Sequence, residues 1–205
     1  MRNKIKEIKT WMDKIRTWWK DRSIAKEIAE TVRQHTKKVA KATKIYWQYF
    51  PNLDLEKMIK MAKYHDVAEY KEKDYVPWEI SQKEKHKREK AVILWLKKHF
   101  WEKWDELYNI WIEFEEEKIP EAKIVKQLDK LDAAIQAMEY EKLWYDNVIN
   151  FYNYTLWKLS DPTLINILKI LLKKEFNHIN YYEQYFFLLE YKWDEEKFRQ
   201  HFYNL

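Results

Sequence analysis

The chain has 205 residues, 46% hydrophobic and 36% charged, which fits one folded domain with a continuous core and excludes a disordered chain. Its longest purely apolar run, Ala91 to Leu96, is far short of the ~20 residues a bilayer crossing needs, and no basic start leads into an apolar segment; neither a membrane span nor a secretory signal is expected. Zero cysteines exclude disulfides and thiolate metal sites, so any metal must be held by histidine and carboxylate, with the cytoplasm as the default location.

Glycine is absent and tryptophan occurs 12 times; a chain without glycine suits helices with few tight turns. The net charge of +5 is uneven. Residues 1–50 carry 14 Lys/Arg against 5 Asp/Glu, a net of +9, which leaves −4 for the remainder. A basic half attracts phosphates or nucleic acid, but lysines also dominate ordinary solvated helix faces.

Helical periodicity runs almost throughout, with no convincing strand alternation. The first predicted helix covers 3–20, with Ile5, Ile8, Trp11, Met12, Ile15 and Trp19 on one stripe. A second runs from Ser23 to Phe50 and stops before Pro51, because proline disfavours helix in the residue preceding it. Asp54 is placed to cap a third, which leads into Tyr64-His65-Asp66. Lys71 to Ile80 reads as a loop, and Ser81 with Glu84 opens a helix over 82–98. Helices follow over Trp101–Glu117 and from Pro120 through Lys158, the latter with a break near Asn147. Asp161-Pro162 starts another, and two more fill 177–191 and 194–203. The expected fold is all-α: a single-domain helical bundle with a core over 1–160 and a C-terminal helical extension over 161–205 packed on the same domain.

Six histidines are few enough that their neighbours matter. His65 and Asp66 are adjacent at a helix end, where both can reach one ion. Glu69 follows one turn later. His35 lies on the neighbouring predicted helix, and Asp129 stands beside apolar Val125 and Leu128 on the long one. Two imidazoles and two carboxylates suit a borderline divalent ion and leave positions for water and substrate. Such an ion activates water and offsets charge on a phosphoryl oxygen, with Glu69 placed to move the protons. Spacing by itself leaves two readings open, since a His-Asp pair arises by chance and a lone His35 also fits as a core histidine with one hydrogen bond.

The segments Glu30-Thr-Val-Arg-Gln-His35, Tyr64-His-Asp-Val-Ala-Glu69 and Ile124-Val-Lys-Gln-Leu-Asp129-Lys-Leu-Asp132 resemble the H…HD…D signature of the HD superfamily. They are most similar to the HD-domain 5′-deoxynucleotidase family, as are Glu84-Lys-His-Lys-Arg-Glu89, Leu107-Tyr-Asn-Ile-Trp111 and Ile135-Gln-Ala-Met-Glu-Tyr-Glu141. The resemblance spans residues 16–145. It implies an HD-type bundle that hydrolyses deoxyribonucleoside 5′-monophosphates with a divalent metal (Mn, Co, Fe, Ni, Zn or Mg). It also implies His35, His65, Asp66 and Asp129 as metal ligands, Glu69 and Asp74 as catalytic acids, and a homodimer.

Trp18, Trp19 and Arg22 are similar to the family's nucleotide-positioning elements, with Trp19 and Arg22 implied as substrate-binding, and Lys126, one turn before Asp129, reads either as a cation that neutralises substrate phosphate or as an ordinary surface lysine. Asp132 competes for the last ligand, but the family's Lys-Gln-x-Asp pattern ends at Asp129. Lys73 stands where the family has glycine before Asp74, and Ala29-Glu30-Thr31 where it has Pro-Glu-Ser. His86, His99, His178 and His201 are read as structural or surface residues, and the aromatic run 181–187 as core or dimer interface. Two other readings keep the fold: an HD hydrolase of another nucleotide class, and a catalytically inactive helical module binding nucleic acid or anionic surfaces.

Overall fold

The computed structural model describes residues 12–16, 23–72, 75, 79–100, 103–145, 148 and 150–175. The helices expected over 177–191 and 194–203, the aromatic run 181–187 and most of the helix expected over 3–20 lie outside the described residues. Those described form seven α-helices: α1 (Val32–Tyr46), α2 (Leu55–Tyr64), α3 (Gln82–Phe100), α4 (Lys103–Glu116), α5 (Pro120–Glu141), α6 (Asn150–Lys158) and α7 (Pro162–Glu175). Two 3₁₀ segments, Trp47–Tyr49 and His65–Tyr70, join them. Among the described residues there is no strand, only an isolated antiparallel bridge between Ile15 and Thr31. No described helix is long and apolar enough to cross a membrane.

The chain forms two compact units, residues 1–129 and 130–205. In the first, α1 packs against α2, and α3 packs against α4 and the His65–Tyr70 segment. Val39 of α1 and Met58, Met61 and Ala62 of α2 are fully buried. Val67, Ala68, Val92, Ile93, Leu96 and Trp111 form a cluster behind the 3₁₀ segment. Each large aliphatic chain buried in this way contributes about 1.5–3 kcal/mol. In the second unit Phe151, Tyr152, Leu156, Leu159, Leu164 and Leu168 are buried. There the Tyr152 hydroxyl donates to Glu141 at 2.6 Å, and Thr155 donates to the Lys130 carbonyl at 2.9 Å.

Three sequence expectations need correction. The expected helix over 3–20 is interrupted in its described part. Arg16 N–H donates to the Glu30 carbonyl at 3.0 Å, and Val32 N–H donates to the Lys14 carbonyl at 3.0 Å, so residues 14–16 are extended against 30–32. The second helix begins at Val32, not Ser23, because Thr31 closes a capping box: its hydroxyl accepts from Gln34 N–H, and Gln34 Oε1 accepts from Thr31 N–H at 2.8 Å.

The long helix from Pro120 ends at Glu141, six residues before the expected break. Tyr145 N–H reaches the Tyr140 carbonyl at 3.2 Å and Trp144 N–H reaches that of Glu141 at 2.9 Å, the paired bonds of a Schellman stop. The left-handed position of that stop, usually glycine, is Trp144 at φ 69°. Glu117, directly after α4, is left-handed too, at φ 51°. Without glycine, these stops place bulky residues in a conformation that costs about 1–2 kcal/mol each. Other starts were legible: Asp54 accepts from Lys57 N–H, Ser81 from Glu84 N–H, and Asp161 from Thr163 and Leu164 N–H.

Candidate metal centre

Three stretches of the first unit bring four side chains to one point. The Thr31 cap sets the phase of α1 so that Val32, His35, Thr36, Val39 and Ala40 face inward. α2 ends at His65, where the chain tightens into the 3₁₀ turn that carries Asp66. Asp129 sits on α5 beside Val125 and Leu128, both fully buried.

The donor atoms crowd together. His35 Nε2 lies 3.2 Å from His65 Nε2, 3.0 Å from Asp129 Oδ1 and 3.5 Å from Asp66 Oδ2. His65 Nε2 lies 3.2 Å from Asp66 Oδ1 and 3.6 Å from Asp129 Oδ1. His65 Nδ1 is 3.0 Å from the Ala62 carbonyl, which can only accept, so Nδ1 carries a proton and Nε2 is the nitrogen that faces the centre. Two imidazole Nε2 atoms and two carboxylates facing one another need positive charge among them, a cation or a shared proton. Ligands about 2.1 Å from one ion and at right angles stand about 3.0 Å apart, close to the spacings here. Asp66 Oδ2 is buried with no hydrogen-bond donor, as an oxygen reserved for an ion would be. The donor set therefore fits a divalent ion, and His35, His65 and Asp66 meet the spacing such an ion requires.

The electrostatics express the same demand for positive charge. Burial alone pulls the His65 imidazole down, but the Asp66 charge and hydrogen bonds to Asp129 and Asp66 outweigh it and push the group up to about 10. Burial pushes Asp66 up, yet His65, His35 and Arg16 hold it well below the usual carboxylate range. A proton shared in this pocket stands in for the missing positive charge. The two histidine side chains are closed off, at 0% and 2% exposure, while Asp66 and Asp129 keep 13% and 8%.

Glu69 is buried, three residues past Asp66 in the same 3₁₀ segment. At three residues per turn, positions i and i+3 eclipse, so the tighter helix aligns Glu69 with Asp66 better than an α-turn would. Lys126 directs its ammonium to the Glu115 carbonyl at 3.2 Å and to Glu117 Oε2 at 3.4 Å, and lies over the Phe114 ring. Phe114 in turn packs on His65. Asp132 is buried in the second unit. Asp74, Trp19, Arg22 and Lys73 lie outside the described residues. His86 stacks on Trp111 and pairs with Glu115 at 3.3 Å, and His99 stacks on Trp95; both are packing roles, as expected.

Sequence reasoning missed Arg16. Its guanidinium is buried at 4% exposure, 3.7 Å from Glu30, whose other oxygen takes Lys38 at 2.9 Å. Burial pushes Glu30 up, and His35, Arg16 and Lys38 together bring it below its ordinary value. Arg16 also helps to lower Asp66. No local signal marks it, because the bridge that swings residues 14–16 against 30–32 is a long-range pairing that periodicity does not register.

Residues 12–164 match the HD domain family, and the chain belongs to it. It is 36% identical over 136 residues to the 5′-deoxynucleotidase HDDC2 of Danio rerio, covering 62% of this chain and 66% of that protein. The same-named protein of Xenopus laevis is 31% identical over 163 residues, 78% of this chain and 79% of that one. That of Homo sapiens is 31% identical over 156 residues, 74% of each. Among solved structures, the PH0347 protein from Pyrococcus horikoshii OT3 superposes with a TM-score of 0.67 at 26% identity, covering 85% of this chain and 98% of that one. A conserved hypothetical protein from Pyrococcus furiosus superposes with a TM-score of 0.69 at 24% identity, which speaks for the fold.

Proposed function

We propose that this chain is a metal-dependent 5′-deoxynucleotidase, hydrolysing deoxyribonucleoside 5′-monophosphates to deoxynucleoside and phosphate. The observation that carries this is the meeting of His35, His65, Asp66 and Asp129 with donor atoms at ligand spacing. The relatives that share the family are named 5′-deoxynucleotidases.

In this reading those four side chains hold one divalent ion (Mn, Co, Fe, Ni, Zn or Mg). When bound, the ion supplies a nucleophilic water at neutral pH and charge to offset that of the phosphoryl group. His65 is fixed as a neutral ligand by the Ala62 carbonyl, and Glu69 takes and returns the proton of the attacking water. Asp74 shares the acid–base work, and Trp19 and Arg22 position the nucleotide. Arg16 offsets the negative charge that Glu30 and Asp66 place behind the site. A cytoplasmic location and a homodimer go with the reading, both resting on the family resemblance.

The test is phosphate release from dAMP and dTMP with added Mn or Co, using a ribonucleotide, cyclic nucleotide and polyphosphorylated nucleotide panel as the comparison. The expected result is turnover of deoxynucleoside monophosphates, abolished by chelator and by Asp66→Ala. Turnover that persists in Asp66→Ala, or release confined to another nucleotide class, refutes the proposal. Salt-sensitive nucleic-acid binding without turnover would instead favour the non-catalytic module.

A further inference from the structure

α4 ends in a run of acids. Glu113, Glu115 and Glu116 crowd its last turn, Glu117 follows, and that turn holds no basic residue. The negative end of a helix dipole disfavours carboxylates, and the last carbonyls of a helix need donors from outside it. The chain has no glycine to close the helix on itself, and Glu117 stands left-handed at φ 51° instead. The donor comes from another helix. Lys126 of α5 brings Nζ to 3.2 Å from the Glu115 carbonyl and 3.4 Å from Glu117 Oε2.

Two further contacts carry this clasp to the metal centre. The same ammonium lies 5.3 Å from the centre of the Phe114 ring, within cation–π reach. Phe114 is buried, and its ring is tilted against the His65 imidazole with centroids 5.3 Å apart. The bond between His65 Nδ1 and the Ala62 carbonyl directs one edge of that imidazole and leaves the tilt of its plane to packing. Lys126 also precedes Asp129 by three residues, so the two are neighbours along α5. One side chain thus joins the helix that carries Asp129 to the ring against which His65 leans.

We propose that Lys126 is a positioning residue of the metal centre: by capping α4 and lying over Phe114, it fixes the His65 imidazole relative to Asp129, whose Oδ1 stands 3.6 Å from His65 Nε2. This rests on the four-ligand centre described above. An ammonium has three donors, and here they meet a carbonyl, a carboxylate and a ring face, which assigns Lys126 to holding α4 and not to a phosphate oxygen. Groups that orient a metal-binding histidine are worth about 10–100-fold in metal affinity, and a residue acting through an intervening ring falls at the lower end.

The test titrates Mn into the metal-free full chain by calorimetry, on variants whose circular dichroism matches the parent's, with steady-state kinetics at saturating Mn. Lys126→Met keeps the apolar stem over Phe114 and removes the ammonium. Its Kd for Mn is expected to rise about tenfold, while KM for dAMP at saturating Mn stays within about twofold. Lys126→Arg keeps a cation for both carbonyl and ring and is expected to restore the affinity to within about threefold. Phe114→Leu leaves Lys126 in place but removes the flat ring, and is independently expected to weaken Mn by a similar factor.

Mn affinity of Lys126→Met within about twofold of the parent's overturns the proposal. A rise in KM with Mn affinity unchanged also overturns it, since the ammonium would then serve substrate phosphate. An equal loss of affinity in Lys126→Arg does the same, because the charge would not be what matters. A parent that binds no Mn sinks the centre and this role together. Lys126-dependent Mn binding in a chain that turns over no deoxynucleotide upholds the role and sinks only the substrate assignment.

Discussion

Asp129→Asn is the substitution whose consequence is most directly set by the geometry. Asp129 Oδ1 is the oxygen that reaches both imidazoles, 3.0 Å from His35 Nε2 and 3.6 Å from His65 Nε2. The amide keeps the shape but presents a neutral, weaker donor. At free metal 100 times its Kd, binding to the folded state alone adds about 2.7 kcal/mol of stability. In a chain of this size 1 kcal/mol moves Tm by about 2–4 °C, so Mn or Co is expected to raise the parent's Tm by about 5–11 °C.

Even hydrogen-bond partners of metal ligands are worth about 10–100-fold in affinity, so losing a ligand's charge weakens binding by at least about 100-fold. At the same metal concentration the variant then retains about 0.4 kcal/mol, a shift of about 1–2 °C. Differential scanning fluorimetry with and without metal, beside elemental analysis of the purified proteins, reads this directly. A variant that keeps one ion per chain and a shift as large as the parent's would refute the four-ligand centre.

The same contacts lead to further expectations. His65 is raised from 6.5 to about 10, so in metal-free protein it stays protonated at neutral pH, and an ion must displace that proton. Calorimetry in two buffers of different ionisation enthalpy is expected to show about one proton released per ion at pH 7, with metal affinity rising with pH until about 10; no release would contradict the site. By linkage, the stability His65 gives the metal-free fold is complete below pH 6.5 and fades as pH rises through about 10, so chemical denaturation without metal gives a lower stability at pH 9 than at pH 6. Glu69→Gln is expected to lower turnover about 10²–10⁴-fold with metal content intact; unchanged turnover would remove its proton-transfer role. Trp144 is 94% exposed and left-handed, so Trp144→Gly loses little packing and is expected to raise stability by about 1 kcal/mol in thermal unfolding, whereas a drop would show that its indole matters.

Much of this was legible before any coordinates. Helical periodicity announced the all-α class, and Asp54, Ser81 and Asp161 announced helix starts, because capping depends on a side chain and an amide two or three residues apart. The order of His35, His65-Asp66 and Asp129 was legible as a family signature. What the sequence could not show was distance. That Asp129 Oδ1 stands 3.0 Å from His35 Nε2, and that Ala62 sets the His65 tautomer, follow from how α1, α2 and α5 pack.

The misses have the same cause. Residues 14–16 carry a helical pattern, but their backbone amides found partners at 30–32, and that pairing, invisible to any local window, carried Arg16 into the interior. Glu89 stood in a segment similar to the family, but that its side chain is buried was visible only in the structure. The sequence by itself determined the all-α class, several helix starts and which residue types could hold an ion, since these are written in short-range pattern and chemistry. Tertiary structure alone decided which charges lose their water, because desolvation depends on what distant parts of the chain close over a side chain.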